Sequence, residues 1–255
     1  MKMLMAANWK MFKTASEAQA MIRALSAKLG GVSPKDSEIV LFTPFTCLRE
    51  SVEAISSALP DVAIGAQNIY PALEGAFTGE ISPNMLKDCG ATWVLIGHSE
   101  RRHILGESNA FVGQKTAFAL ACGLKTIMCV GETLAERERG DLAEVLEYQL
   151  YQGLGGITEI PEPDCLAIAY EPVWAIGTGK RAAVSDIVDA HALIRELTKQ
   201  ILGHAGLLIR IIYGGSVKPE NAGEILALDN VDGVLVGGAS LQADSYHVIL
   251  TANIR

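Results

Sequence analysis

Short apolar segments alternate with longer amphipathic segments along the whole chain. The short segments predict buried strands, since they are nearly continuous in apolar residues and end at turn-forming residues. These predicted strands span residues 3–7, 38–42, 62–66, 93–96, 125–129, 166–170, 207–213 and 234–236. The amphipathic segments predict helices over residues 16–29 (with Ser16 as N-cap), 47–59, 108–122, 141–154 and 185–202, with further helices opened by Ser82-Pro83, by Lys218-Pro219-Glu220 and near Asp244.

Strands of this kind, separated by helices, are typical of a parallel sheet that is buried on both faces. Eight strand–helix units in 255 residues fit a closed (β/α)8 barrel that spans residues 1–255 as a single domain. A doubly wound open sheet is the competing architecture. It is disfavoured because no Gly-x-Gly-x-x-Gly motif follows the first strand.

Composition and charge narrow the functional class. The formal net charge is −8, which disfavours a nucleic-acid-binding protein but leaves room for a local basic pocket that binds an anionic metabolite. The five cysteines are dispersed without a Cys-x-x-Cys motif, as expected for reduced thiols in a cytoplasmic protein. The apolar part of the N-terminus is too short for a signal peptide, and no run approaches the ~20 apolar residues of a membrane helix. We therefore expect a cytoplasmic protein with no nucleic-acid or membrane partner.

Chemically capable residues follow several of the predicted strands. In a barrel of this type the active site lies where the strands end. Lys10 follows strand one, His98 follows strand four and Glu171 follows strand six, while glycine pairs follow strands seven and eight at 214–215 and 237–238. Each feature alone has an ordinary explanation, such as a solvated lysine, a core histidine or a tight turn. Their occurrence together at one rim favours a functional site.

The residue types of the segment 171–182 predict a loop that acts as a lid. It carries Trp174 and Ile176, which solvated loops rarely expose together, and then the triplet Gly177-Thr178-Gly179, whose backbone could approach an anion. The alternative is a surface loop whose tryptophan packs on its own core. Beside a lid, Glu171 is a candidate base in a water-excluded pocket.

These residue types suggest proton transfer on a small phosphorylated carbonyl compound. Glu171 would be the base, and His98 and Lys10 would stabilise the oxygen that becomes negative. Backbone N–H groups at the glycine-rich ends of strands seven and eight would hold a phosphate, helped by a short helix that could begin at residues 238–241. No Asp, Glu or His cluster has metal-ligand spacing, so we expect neither a metal nor a cofactor.

Several short motifs, in their order along the chain, show that the whole sequence resembles the triosephosphate isomerase family. They are Asn8-Trp9-Lys10, Gly65-Ala66-Gln67-Asn68, Gly75-Ala76-Phe77-Thr78-Gly79-Glu80, Gly97-His98-Ser99-Glu100-Arg101-Arg102, Cys129-Val130-Gly131-Glu132, the segment 170–180, Tyr213-Gly214-Gly215-Ser216 and Gly233-Val234-Leu235-Val236-Gly237-Gly238-Ala239. The resemblance implies a TIM barrel that interconverts dihydroxyacetone phosphate and D-glyceraldehyde 3-phosphate in glycolysis and gluconeogenesis.

The resemblance also implies roles for individual residues. Glu171 would move the proton, neutral His98 would polarise the carbonyl, and Lys10 would bind substrate and stabilise negative charge. Glu100 would pair with Lys10, and Cys129 would pack near the base. The substrate would be held by Asn8 and by the backbone N–H groups of Gly177, Ser216, Gly237 and Gly238.

Residues 68–82 form a long predicted loop, which by resemblance docks beside the active site of a second subunit, with Thr78 near its tip. The expected unit is therefore a homodimer. Two segments depart from the family pattern: Arg181-Ala182-Ala183, at the second hinge of the lid, and residues 69–74, in the docking loop. The first bears on lid kinetics and the second on the details of the subunit contact.

Two other functional classes remain open on sequence grounds. One is a different phosphate-binding barrel enzyme, although strand six lacks the lysine of a Schiff-base aldolase, and the ligand pattern of a metal-dependent epimerase is absent. The other is a non-catalytic binding protein. Against it, positions 10, 98 and 171 all hold chemically competent residues.

Overall fold

The computed structural model describes residues 1–176 and 182–252, and within these ranges eight parallel strands form a closed barrel. Each strand pairs with the next along the chain, and the last pairs with the first. This closure confirms the (β/α)8 barrel and excludes the open sheet. The strands are β1 Met3–Asn8, β2 Ser37–Thr43, β3 Val62–Ala66, β4 Trp93–Ile96, β5 Lys125–Val130, β6 Leu166–Tyr170, β7 Arg210–Tyr213 and β8 Gly233–Val236.

Helices connect the strands on the outside of the barrel. They are α1 Ala15–Leu29, α2 Leu48–Ala58, α3 Pro83–Asp88, α4 Ser99–His103, α5 Asn109–Ala121, α6 Leu134–Arg139, α7 Leu142–Leu154, α8 Val184–Leu202, α9 His204–Leu208, α10 Ala222–Leu226 and α11 Ala243–Thr251. Short 3₁₀ turns occur at Phe45–Cys47, Pro163–Cys165, Val173–Ala175 and Gly238–Leu241. In the described part of the chain, no helix is both long and apolar enough to cross a membrane.

Most residues of the strands are apolar because successive side chains enter two different cores. On β1, Leu4 and Ala6 belong to the core inside the barrel, whereas Met5 and Ala7 pack in the layer between strands and helices. Phe42 and Trp93 are the largest side chains of the inner core. This double burial is why the strands read as continuous apolar runs in the sequence.

Two of the predicted helix starts carry a serine N-cap. Ser82 and Ser108 are the N-caps of α3 and α5, and their hydroxyl groups accept hydrogen bonds from backbone N–H groups of the first turn. The prediction of Ser16 as a cap is wrong. Helix α1 already begins at Ala15, with Thr14 as N-cap, because the carboxylate of Glu17 accepts hydrogen bonds from the N–H and hydroxyl of Thr14 at 2.7 and 2.9 Å.

The start of strand seven was predicted too early. Leu207 and Leu208 are helical, and β7 begins only at Arg210. The backbone of Gly206 lies against the carbonyl of Thr198, where a Cβ atom would stand 2.0 Å from the oxygen. This close packing folds the segment back onto the end of α8, so its apolar leucines do not mark a strand.

The helix predicted at Lys218-Pro219-Glu220 also begins later, at Ala222. The Asn221 side chain instead accepts the N–H of Lys218 at 2.7 Å, which makes a turn before α10.

The N-terminal end of the barrel is closed by charged side chains. Arg210 is buried, donates to Glu38 at 2.6 Å, and lies over the Trp93 ring at 5.6 Å from its centroid. These contacts fill the barrel at this end. The large cavity described next is at the opposite end, where the strands finish.

Candidate functional site

A cavity of about 550 Å³ lies at the C-terminal ends of the strands. It brings together seven of the candidate residues: Asn8, Lys10, His98, Glu171, Ser216, Gly237 and Gly238. Glu100 reaches the same site through Lys10. Gly177 lies outside the described residues, as do positions 178–181 of the lid.

Glu171 directly follows β6 and is only 2% exposed. Its Oε2 atom accepts the N–H of Ser99 at 2.8 Å. Its Oε1 atom lies 2.9 Å from Nε2 of His98. Burial raises the pKa of this carboxyl, whereas the His98 ring, the Ser99 N–H and Lys10 lower it, and the lowering contributions prevail. Glu171 is therefore an ionised carboxylate, with Oε2 bound by the Ser99 N–H and Oε1 facing the His98 ring.

His98 is the N-cap of helix α4. Its Nδ1 atom accepts the N–H of Glu100 at 3.2 Å, so this nitrogen carries no proton and the ring proton belongs on Nε2. The Glu100 carboxylate is 3.5 Å from the same Nδ1, too far to compete as a hydrogen-bond partner. This geometry assigns a neutral imidazole whose single N–H is on the side of Glu171.

Lys10 adopts a left-handed backbone conformation, with φ of 50°. The conformation is uncommon for lysine and is held by neighbours: Asn8 Oδ1 accepts the Lys10 N–H, and the Gln67 amide donates to the Lys10 carbonyl, both at 2.9 Å. The Lys10 ammonium is 2.7 Å from Glu100 Oε1. The sequence motif containing Gln67 was recognised, but this supporting contact was not foreseen.

Two glycines fix the position of Glu171, and sequence reasoning missed this role. A Cβ atom at Gly131 would stand 1.8 Å from the Glu171 carbonyl oxygen, and one at Gly214 would stand 2.9 Å from its Cγ. Both glycines come just after the neighbouring strands β5 and β7. In the sequence, the only sign of this role was that each glycine comes just after a predicted strand. That position does not reveal which residue the glycine contacts.

The glycine-rich ends of β7 and β8 form the part of the cavity proposed for phosphate. A Cβ atom at Gly238 would meet open space, and one at Gly237 would lie 3.5 Å from Lys10 Cε. An anion can therefore approach this backbone closely, beside the lysine stem. Residues 238–241 form a 3₁₀ turn, which is tighter than the predicted helix start and is held by Ser240, whose N–H and hydroxyl both donate to the Gly237 carbonyl.

The first part of the predicted lid packs on a buried carboxylate. Trp174 Nε1 donates to Glu132 at 2.7 Å, and the Tyr170 hydroxyl contacts the same carboxylate at 3.1 Å. Burial raises the pKa of Glu132. Ile176, the last described residue before the gap, lines the cavity. Sequence reasoning did not identify Glu132 as the partner of the lid tryptophan.

Arg102 joins the ends of β4 and β5 beneath the site. It donates to the carbonyl oxygens of Gly97 at 2.7 Å and Cys129 at 2.8 Å. Cys129 is fully buried, and burial raises the pKa of its thiol well above the ordinary value. A protonated thiol in this position packs against its surroundings, as the sequence suggested.

Residues 68–82 form an ordered projection. The Tyr70 N–H donates to the Ile81 carbonyl at 2.9 Å, and the rings of Tyr70 and Phe77 stack with centroids 4.3 Å apart. Thr78 is exposed and lies outside the cavity of its own chain. Over the described ranges, no group of three or more His, Cys, Asp or Glu side chains could hold a metal ion.

Comparison with known proteins identifies what this arrangement resembles. A family profile described as triosephosphate isomerase matches residues 3–253. The triosephosphate isomerase of Nitratidesulfovibrio vulgaris strain Miyazaki F is 58% identical over 99% of this chain and 100% of its own length. That of Oleidesulfovibrio alaskensis is 56% identical over the same shares. The crystal structure of triosephosphate isomerase from Bartonella henselae superimposes with a TM-score of 0.89 over the whole of both chains, at 36% identity.

Proposed function

This chain belongs to the triosephosphate isomerase family, and we propose that Glu171, His98 and Lys10 carry out its reaction. It is an isomerase that interconverts dihydroxyacetone phosphate and D-glyceraldehyde 3-phosphate, a step of glycolysis. The geometry of the Glu171–His98 pair is the main support for this assignment of residues. Oε1 of a buried carboxylate lies 2.9 Å from Nε2 of His98, the ring nitrogen that carries the proton when Nδ1 accepts the N–H of Glu100.

The first half of the reaction is proton abstraction. Glu171 Oε1 takes a proton from the carbon next to the substrate carbonyl, and the released electron pair forms the carbon–carbon double bond of an enediolate. The carbonyl π electrons move to its oxygen, which becomes negative. Nε2–H of His98 and the Lys10 ammonium stabilise that oxygen. In the second half, the hydroxyl proton of the enediolate moves to the negative oxygen, so that the negative charge passes to the other oxygen. The carbon–carbon π electrons then take the proton of the Glu171 carboxyl at the former carbonyl carbon, and a lone pair of the newly negative oxygen forms the new carbonyl.

The other contacts position the substrate. Asn8 lies next to Lys10, and the backbone N–H groups of Ser216, Gly237 and Gly238 bind the phosphate, with Gly177 contributing from the lid. Closure of residues 171–182 excludes water, which protects the enediolate phosphate from loss of inorganic phosphate. We infer no cofactor. The site residues belong to one domain over residues 1–255.

A coupled assay in both directions tests this function. Purified protein should convert dihydroxyacetone phosphate to D-glyceraldehyde 3-phosphate, and the reverse, without added metal and in the presence of a chelator. A chain that binds the triose phosphates without converting them would instead be a binding protein. Release of inorganic phosphate or carbon–carbon cleavage as the main reaction would indicate a different barrel enzyme.

Replacing His98 with glutamine should lower kcat about 10²-fold. An amide donates from a different position and cannot reproduce the fixed Nε2–H, so the enediolate oxygen is less stabilised. His103→Gln is the matched control, because His103 is exposed on the same helix. A ¹⁵N NMR titration gives an independent check. An imidazolium signal from His98 at neutral pH would contradict the neutral-ring assignment.

We infer that the active unit is a homodimer. Exposed large apolar side chains follow the first four strands in turn, which places them on one side of the barrel rim. They are Met11, Phe12, Phe45, Leu73, Phe77, Met85, Ile104 and Leu105. Soluble monomers rarely expose so many apolar side chains on one side, and a second copy of the chain would bury them. The ordered projection 68–82 supplies the reach for docking.

Thr78→Arg should weaken this dimer by about tenfold or more in dissociation constant, because a bulky cation would enter a packed contact. Thr92→Arg is the control, since Thr92 is exposed at the start of β4 on the opposite end of the barrel. Sedimentation velocity over a dilution series measures the effect. Equal dimer stability in both variants would exclude loop 68–82 as the docking element.

A further inference from the structure

The cavity continues beyond the residues that the proposed reaction uses. Its outer wall includes Lys218 and Glu220, which are both exposed, in the loop between β7 and α10. Deeper in the cavity, Lys10 is already paired with Glu100. Lys218 lines the cavity without an ion pair to any residue that the structure describes. It is a cation at the mouth whose charge is available to an incoming ligand.

The backbone that carries Lys218 is fixed relative to the proposed phosphate contacts. The Lys218 N–H donates to the Asn221 side chain at 2.7 Å, and the same side chain donates to the Ser216 carbonyl at 3.0 Å. Ser216 is one of the residues proposed to bind the phosphate. A single asparagine therefore connects the lysine at the mouth to the phosphate-binding loop.

The negative net charge of the whole molecule makes a lysine at the cavity mouth important for attracting an anion. The net charge is −8, so the average field repels a phosphate dianion. Among the described residues that line the cavity, the carboxylates Glu171 and Glu220 equal the lysines Lys10 and Lys218 in number. Without the charge of Lys218, these side chains would carry a net negative charge, because two carboxylates would face one lysine.

We propose that Lys218 is a substrate-capture residue, which attracts the phosphate dianion into the cavity and is opposed by Glu220. The inference rests on the proposed function only in its choice of substrate. It predicts an effect on kcat/KM and none on kcat, because Lys218 lies at the mouth and the reacting carbons lie near Glu171. The effect should be screened by salt, since exposed charges interact over about 10 Å at 0.1 M ionic strength.

The test compares four proteins over a range of sodium chloride concentrations: the unaltered chain, Lys218→Gln, Glu220→Gln and Lys35→Gln. Lys35 is the matched control, since it is an exposed lysine before β2, at the closed end of the barrel. At low salt, Lys218→Gln should reduce kcat/KM severalfold, Glu220→Gln should increase it, and Lys35→Gln should leave it nearly unchanged. At about 0.5 M salt the four values should converge.

Three results would overturn the proposal. They are an unchanged kcat/KM for Lys218→Gln at low salt, a loss of the same size at every salt concentration, and a loss equal to that of Lys35→Gln. The binding of inorganic phosphate, measured by calorimetry on the same four proteins, separates this inference from the isomerase reaction. If the chain bound phosphate in this charge-dependent way without isomerising triose phosphates, the proposed catalytic roles would be wrong. The proposed capture role of Lys218 would still hold.

Discussion

Glu171→Asp should lower kcat by about 10²-fold while changing KM only modestly. The substitution keeps the carboxylate but withdraws it by one methylene, so it would no longer reach the carbon from which we propose that Oε1 takes the proton. The carboxylate is also held tightly, because the Ser99 N–H binds its other oxygen and Gly214 packs against its Cγ. The aspartate cannot recover the lost distance by a shift of the backbone, since Gly131 contacts the Glu171 carbonyl on the other side.

Glu220→Asp provides the control, because it shortens another carboxylate of the same cavity by the same amount without moving the base. It should retain kcat. Steady-state kinetics in both directions, with circular dichroism to verify folding, make the comparison. Full turnover by a folded Glu171→Asp protein would remove Glu171 from the role of base.

Lys10→Met should lower kcat/KM by about 10³-fold, with both a higher KM and a lower kcat. Methionine keeps most of the volume of the side chain but removes the ammonium that we propose neutralises the phosphate and the developing oxyanion. It also leaves Glu100 without its partner at 2.7 Å, so an unbalanced carboxylate would face the anionic substrate. Both effects act in the same direction.

Lys13→Met is the control for this prediction. Lys13 is in the same loop and also has a left-handed backbone, but its ammonium donates to the Leu241 carbonyl at 3.0 Å, and it does not line the cavity. Lys10→Arg should retain part of the activity, because arginine keeps the positive charge but places it at a different distance from the backbone. Equal losses in Lys10→Met and Lys13→Met would indicate damage to the loop and not loss of the ammonium.

The amino-acid sequence determined the barrel and the positions of the candidate residues along it. Strands buried on both faces leave continuous apolar runs, and three of the predicted strands, at 62–66, 93–96 and 166–170, coincide with β3, β4 and β6. Because parallel strands of a barrel end on one side, residues such as Lys10, His98 and Glu171 could be assigned to one rim from sequence position alone.

Sequence patterns failed where a contact between distant segments decided the local structure. Leu207 and Leu208 have the residue types of a strand, yet the close approach of Gly206 to Thr198 makes that segment helical. Propensity describes a residue and its neighbours in sequence. It contains no information about a backbone that arrives from elsewhere.

The hydrogen bonding and protonation of the site were decided by tertiary structure alone. The assignment of the ring proton of His98 to Nε2 follows from the N–H of Glu100 at its Nδ1 atom, and the lowered pKa of Glu171 follows from the His98 ring, the Ser99 N–H and Lys10 around it. The left-handed backbone of Lys10 depends on Gln67, which comes from another strand end. Hydrogen-bond direction, protonation and strain depend on atoms placed within about 3 Å by separate segments, and only the folded chain brings those atoms together.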